Sequence, residues 1–264
     1  MGLSMKYGIC QWNLPVKGPQ GCYELVKLGL DGMELEYTSE LSSQINEYKK
    51  AAEETGMRFP TLGLNVFCGT SYSKEGNEEY FENVIEDALK CADALGIKCL
   101  QIPAFFESDI NSEEELVVAA RNLKRACELA EKYQIMIGSE NALDAKMNIE
   151  LCKLADHPLF RFYFDNQNLW RMKGKRCGEV LAAMKDLLVE VHAKDSKVFM
   201  GKQKWKPLGK GDAEFDSSMK ALKELGYDGW IHLENDYQID ATKKRFDYEK
   251  AIKRDLSVLK NIFE

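Results

Sequence analysis

The chain is poor in histidine, with three in 264 residues, and none of its eight cysteines forms a C-x-x-C pair. Zinc-finger frameworks need such pairs with companion histidines, so that class is excluded and the cysteines read as reduced, mostly buried thiols of a cytoplasmic protein. No apolar run reaches 18 residues, and no charged stretch followed by an apolar one opens the chain. The expectation is therefore a protein that neither spans a membrane nor is secreted. Positive charge is scarce as well: Lys+Arg 36 against Asp+Glu 43 leaves −7, which disfavours a nucleic-acid partner. Neither G-x-G-x-x-G nor a Walker pattern occurs, so nucleotide-phosphate chemistry of those kinds is not expected. No Pro/Gly/Ser-rich linker, composition shift or low-complexity tract divides the sequence, and residues 1–264 read as one domain. Met1 to Ser4 precede a second methionine, Met5, and are set aside as an addition ahead of the fold.

What is present is ordinary globular composition, 45% hydrophobic and 30% charged, with enough apolar surface for a large core. Short runs rich in β-branched and aromatic residues alternate with longer stretches of helical period. Strands are expected at Lys6–Gln11, Gly32–Tyr37, Arg58–Val66, Ile97–Pro103, Ile135–Glu140, Phe160–Asp165, Leu187–Lys194 and Gly229–Glu234. Helices are expected at Gln20–Leu28, Glu40–Thr55, Asn77–Leu95, Ser112–Tyr133, Asn148–Ala155, Gly178–Asp186, Asp216–Leu225 and Ala241–Ile262. Glycine stops at Gly56, Gly96 and Gly226 end three of the helices shortly before a strand. Strict alternation of eight and eight implies an α/β fold, a single (β/α)8 TIM barrel.

Barrel enzymes carry their chemistry at the carboxyl ends of the strands. Four successive strands end in ionisable residues: Ser139-Glu140-Asn141, Phe164-Asp165-Asn166, Val191-His192-Ala193-Lys194-Asp195 and His232-Leu233-Glu234-Asn235. Period-two alternation puts Glu190, His192 and Lys194 on one face of their strand and Trp230, His232 and Glu234 on one face of the last. The opposite, apolar face suits helix packing, so the polar set points into the barrel or its mouth. Three carboxylates and an imidazole converging there would repel one another without a positive partner, and a divalent metal supplies one. Oxygen-dominated ligation with one histidine favours Mn2+, with Mg2+, Co2+ or Zn2+ as alternatives.

The ordered set of Glu140 in Ser-Glu-Asn, Asp165 in Phe-Asp-Asn-Gln-Asn, His192 in Val-His-Ala-Lys-Asp, Pro207-Leu208-Gly209-Lys210-Gly211 and Glu234 in Ile-His-Leu-Glu-Asn resembles the xylose isomerase-like TIM-barrel superfamily. Within it the chain looks most like the sugar-phosphate isomerase/epimerase group, which includes ketose 3-epimerases, hydroxypyruvate isomerase and inosose dehydratase. The resemblance runs from Gly32-Met33-Glu34-Leu35-Glu36 onward. It implies Glu140, Asp165, His192 and Glu234 as metal ligands, Glu140 and Glu234 as the acid/base pair, and a homodimer or homotetramer. Ketose 3-epimerases carry a histidine, a glutamate and an arginine where this chain has Asn168, Lys146 and Val198, so their substrate specificity does not carry over. Endonuclease IV, on a similar barrel, assembles three zinc ions with many histidines, which this chain cannot furnish.

The substrate-contact candidates are Trp12, Glu36, Asn168, Lys194 and Lys206. Trp12, Tyr37, Phe67, Phe105, Phe106, Trp170 and Trp205 are candidates for a wall against sugar C–H faces, or for ordinary packing. Glu34, Arg161 and Glu190 read as a stabilising polar network inside the barrel, His232 as a packed partner, and His157 as structural. The stretch from Ser196 to Gly211, with five lysines and Trp205, is either a lid meeting a phosphate or carboxylate or a solvated loop. The expected activity is metal-dependent isomerisation or epimerisation of a sugar or sugar phosphate through an enediolate; dehydration and a non-catalytic sugar-binding barrel stay open.

Overall fold

The computed structural model describes residues 5–174, 176–200, 202–238 and 247–264. The set-aside residues 1–4, and residues 241–246 of the last expected helix, lie outside that range. Eight parallel strands close into a barrel: β1 (Lys6–Cys10), β2 (Gly32–Glu36), β3 (Thr61–Gly63), β4 (Cys99–Ala104), β5 (Met136–Asn141), β6 (Phe160–Asp165), β7 (Leu188–Ala193) and β10 (Trp230–Leu233). Sequence neighbours pair around the ring, and β10 pairs with β1 to close it. The helices outside are α1 (Gln20–Leu25), α2 (Leu41–Thr55), α3 (Glu78–Leu95), α4 (Glu113–Ala130), α5 (Ala145–Ala155), α6 (Asn166–Lys173), α7 (Cys177–Met184), α8 (Phe215–Glu224) and α9 (Tyr248–Phe263).

Alternation builds two environments. Met33, Leu35, Leu62, Leu100, Ile102, Ile137, Val191, Ile231 and Leu233 are buried and join the apolar layer under the helices. Each such side chain contributes roughly 1.5–3 kcal/mol when removed from water. The interior face is polar, and space there is tight. Gly8, paired with His232 across β1 and β10, must be glycine because a Cβ would fall 2.3 Å from His232 Nδ1.

Three departures from the expected elements have local causes. Strand β3 is much shorter than Arg58–Val66: Pro60 has no N–H to give a ladder, Arg58 reaches Gly32 only through an isolated bridge, and Asn65–Cys68 turns into a 3-10 helix. Helix α6 was not expected; it starts on Asp165, whose Oδ1 accepts the N–H groups of Gln167 and Asn168, both at 2.7 Å. The long connection after β7 is a hairpin, β8 (Ser196–Phe199) with β9 (Lys202–Trp205), antiparallel. Its base is tied to Asp195, whose carboxylate accepts the N–H groups of Ser196, Gly211 and Ala213. A Cβ on Gly211 would fall 1.9 Å from Asp195 Oδ1, which explains the second glycine of the Pro-Leu-Gly-Lys-Gly stretch. All eight cysteines are unpaired. No helix among the described residues is long and apolar enough to cross a membrane.

Candidate metal and catalytic site

The four ligand candidates converge. Glu140 lies next to the end of β5, Asp165 ends β6, His192 lies in β7 and Glu234 follows β10, and one ligand atom from each lies within 4.8 Å of the others. His192 Nδ1 stands 3.0 Å from Glu234 Oε2, 3.5 Å from Glu140 Oε1 and 3.9 Å from Asp165 Oδ2. That nitrogen is buried and makes no hydrogen bond. The opposite ring nitrogen, Nε2, is 2.7 Å from Glu34 Oε2.

Lys194 is the local counter-charge, its Nζ 2.6 Å from both Asp165 Oδ2 and Glu234 Oε2. Set against Glu140, Asp165 and Glu234, a single ammonium leaves a net negative site away from bulk water. Burial raises the Asp165 carboxyl to about 7, with Glu234 and Glu140 adding to the shift and Lys194 opposing it. Burial acts on Glu234 in the same direction, but His192 and Lys194 outweigh it and hold that carboxyl well below the usual range. Burial works against the charged form of Lys194 too, yet Asp165, Glu234 and Glu140 keep it charged far above its ordinary range. Oxygen donors with excess negative charge, beside a buried imidazole nitrogen that makes no hydrogen bond, fit a divalent cation.

The two glutamates are held at both oxygens. Glu140 accepts from Gln101 Nε2 and, at 3.2 Å, from Asn168 Nδ2. Glu234 accepts from Trp12 Nε1 at 3.2 Å and from Lys194 Nζ at 2.6 Å. They face a cavity of about 220 Å³ whose lining includes Trp12, Asn168, Lys194, Arg171, Gln203 and Trp205, with Pro103, Phe105 and Phe106 as an apolar wall. The other aromatic candidates pack elsewhere: Tyr37 donates to Asp87, Phe67 lies against Tyr72 and Phe81, and Trp170 joins the core.

Trp12, Asn168 and Lys194 thus stand on the two glutamates, whereas two other candidates lie farther out. Glu36 accepts from Asn65 Nδ2 at 3.3 Å, and it is Asn65, not Glu36, that lines the cavity. Lys206 sits at the foot of the hairpin, its N–H on the Asp195 carbonyl and its own carbonyl taken by Asn235. It is not a lining residue. Alternation along β9 explains why: Gln203 and Trp205 turn to the cavity, and exposed Lys202 and Lys204 fall on the other face.

The expected Glu34–Arg161–Glu190 network does not form as such. Arg161 donates to the carbonyls of Pro158 and Phe160. Glu34 instead meets His192, Tyr163 and Cys10, and Glu190 meets His232 and Thr61. His157 bonds Glu131 and the Leu159 N–H, a loop-holding role. Gln101 was missed by sequence reasoning. The available signal was a lone amide between Leu100 and Ile102 in an otherwise apolar strand, at an inward position.

Comparison with known proteins agrees with this fold. A family model of the xylose isomerase-like TIM barrel matches residues 22–262. L-ribulose-5-phosphate 3-epimerase UlaE of Escherichia coli (strain K12) is 25% identical over 249 residues, covering 85% of this chain and 86% of its own. Among solved structures, D-psicose 3-epimerase of Clostridium cellulolyticum H10, bound to D-tagatose, superposes with a TM-score of 0.77 at 17% identity, over 98% of this chain and all (100%) of that one. The IolI protein with a bound zinc atom gives a TM-score of 0.78 at 16% identity, covering 98% of each chain.

Proposed function

This chain belongs to the xylose isomerase-like TIM barrel family and is an enzyme, and we propose that it is a divalent-metal-dependent epimerase of a ketose or ketose phosphate. The observation that carries this reading is the convergence of Glu140, Asp165, His192 and Glu234 beneath a small cavity, with His192 Nδ1 unbonded and aimed at the three carboxylates. Mn2+ is the cation best matched to that donor set, with Mg2+, Co2+ and Zn2+ as alternatives. When bound, such a cation supplies Lewis-acid polarisation of a substrate carbonyl and its neighbouring hydroxyl, which lowers the barrier to removing the intervening proton.

The chain's own residues account for the rest. Glu140 and Glu234 come from strands three places apart around the ring, so their carboxylates reach the cavity from different sides. One takes the proton from the carbon beside the carbonyl and the other returns a proton to the opposite face, inverting that carbon. Gln101 and Asn168 fix the Glu140 carboxylate, and Trp12 and Lys194 fix that of Glu234, so neither rotates away between the two transfers. Phe105 and Trp205 give one side of the cavity an apolar wall. The names of the curated relatives, sugar-phosphate epimerases among them, support this class of substrate.

A screen of ketoses and inososes, free and phosphorylated, with Mn2+ in D2O and NMR detection tests the proposal. Deuterium should enter at the carbon next to the carbonyl, and a second epimer should appear. Deuterium entry with an aldose as the product would make the enzyme an isomerase. Absence of exchange across the panel would leave the sugar-binding alternative.

A further inference from the structure

Two glutamate–histidine pairs are sealed inside the barrel. Glu34 with His192 and Glu190 with His232 each meet at 2.7 Å through the histidine Nε2, and the four residues are 0, 0, 4 and 0% exposed. The two histidines are register neighbours on β7 and β10. In both rings Nδ1 is buried and makes no hydrogen bond. The difference is what that nitrogen faces. His232 Nδ1 abuts Gly8 so closely that not even a methyl group would fit between them. His192 Nδ1 looks onto Glu140, Asp165 and Glu234.

A neutral imidazole carries one proton, and its two nitrogens then differ: one donates and the other offers a lone pair. An ionised carboxylate can only accept, so a carboxylate on Nε2 assigns the proton to Nε2 and the lone pair to Nδ1. Glu34 is itself pinned, since its Oε2 accepts from Tyr163 Oη at 2.9 Å and from Cys10 Sγ at 3.5 Å as well as from His192. We infer that Glu34 is a positioning residue of the metal site: it selects the His192 tautomer whose Nδ1 ligates the divalent cation, and Tyr163 and Cys10 hold Glu34 in place. The inference rests on the divalent-metal reading of the site. Glu190 makes the same hydrogen bond to a histidine with no room at Nδ1, so its pair serves packing alone and is a control within the same barrel.

Two measurements test this. With 15N-labelled wild-type protein saturated with diamagnetic Zn2+, long-range 1H–15N correlation spectra report each tautomer, and three histidines make assignment simple. His192 should show a protonated Nε2 and a zinc-shifted Nδ1; a protonated Nδ1, or zinc on Nε2, would overturn the inference. Competition against a fluorescent chelator then gives metal affinity in Glu34→Gln and Glu190→Gln. Glutamine keeps the shape but can turn its amide N–H toward Nε2, so Glu34→Gln should weaken Zn2+ and Mn2+ binding by about 10- to 100-fold. Glu190→Gln should change it by less than about twofold. Equal loss in both variants, or none in Glu34→Gln, would reduce Glu34 to a packing residue. If Glu34→Gln does not fold, the wild-type spectrum decides by itself. A wild type that takes up no divalent ion overturns the metal reading and this inference together, whereas wild-type binding with an unaffected Glu34→Gln overturns this inference only.

Discussion

The first four barrel strands and the last four do different work. Strands β5, β6, β7 and β10 each carry one of Glu140, Asp165, His192 and Glu234, at or just past the strand's end, whereas β1 to β4 supply none of these four. The first half instead supplies groups that hold them: Trp12 just after β1 on Glu234, Glu34 of β2 on His192, and Gln101 of β4 on Glu140. Closing the barrel sets Glu140, His192 and Glu234 each against a fixed partner from the other half, while Asp165 is held within its own by Lys194, Gln167 and Asn168. Preorganisation of this kind places charged groups without a reorganisation cost at the moment of reaction.

The largest expected effect tests the reactive half. Glu140→Gln and Glu234→Gln should each lower kcat by about 10²- to 10⁴-fold, the usual contribution of general acid/base catalysis. Metal content measured alongside separates lost proton transfer from lost ligation. If each carboxylate serves one face, washout of deuterium should survive for one epimer only and switch epimers between the two variants. Wild-type exchange of both epimers in both variants would end the two-carboxylate scheme.

Leu100→Ala tests the supporting half from its outer face, where Leu100 is fully buried under the helices. Deleting a buried leucine side chain costs about 2–5 kcal/mol, so urea unfolding should show a loss of that size while kcat of the folded fraction stays near wild type. A comparable fall in kcat would mean that the halves are not separable in this way.

His192→Ala is expected to bring divalent metal well below one ion per chain by elemental analysis. It should also abolish the stabilisation that added Mn2+ gives the wild type, about 2.7 kcal/mol at a hundred times the dissociation constant. Full occupancy in the variant would remove His192 from the ligand set.

The smallest effect is expected at the hairpin. Replacing Lys204 and Lys206 by alanine together should shift KM by less than about twofold for phosphorylated and free sugars alike, because Gln203 and Trp205 are the hairpin side chains that line the cavity. A clear rise confined to the phosphorylated sugar would return these lysines to a phosphate-binding role.

Much of this was written in local pattern. The alternating elements were readable along the chain, and so were the ionisable ends of the last four strands, because a barrel's chemistry gathers at the carboxyl ends. Local causes also explain the misjudged elements: Pro60 and Asn65 trim β3, and the Asp165 carboxylate starts α6 where a loop was expected. The hairpin was hidden by lysines that resemble a solvated loop, although its alternation of Lys202, Gln203, Lys204 and Trp205 was there to read.

The sequence by itself determined which residues point inward, since a strand's side chains alternate with period two whatever surrounds it. It did not determine which inward residues meet. Glu34, Arg161 and Glu190 looked like one network because all three are polar and were read as lying within the barrel. Contact inside a barrel depends on the register of every pair around the ring and on closure between β1 and β10. Glu34 and His192 stand 158 residues apart, in strands that are not neighbours. Only the closed sheet brings that carboxylate to that imidazole and leaves the other nitrogen facing three more carboxylates.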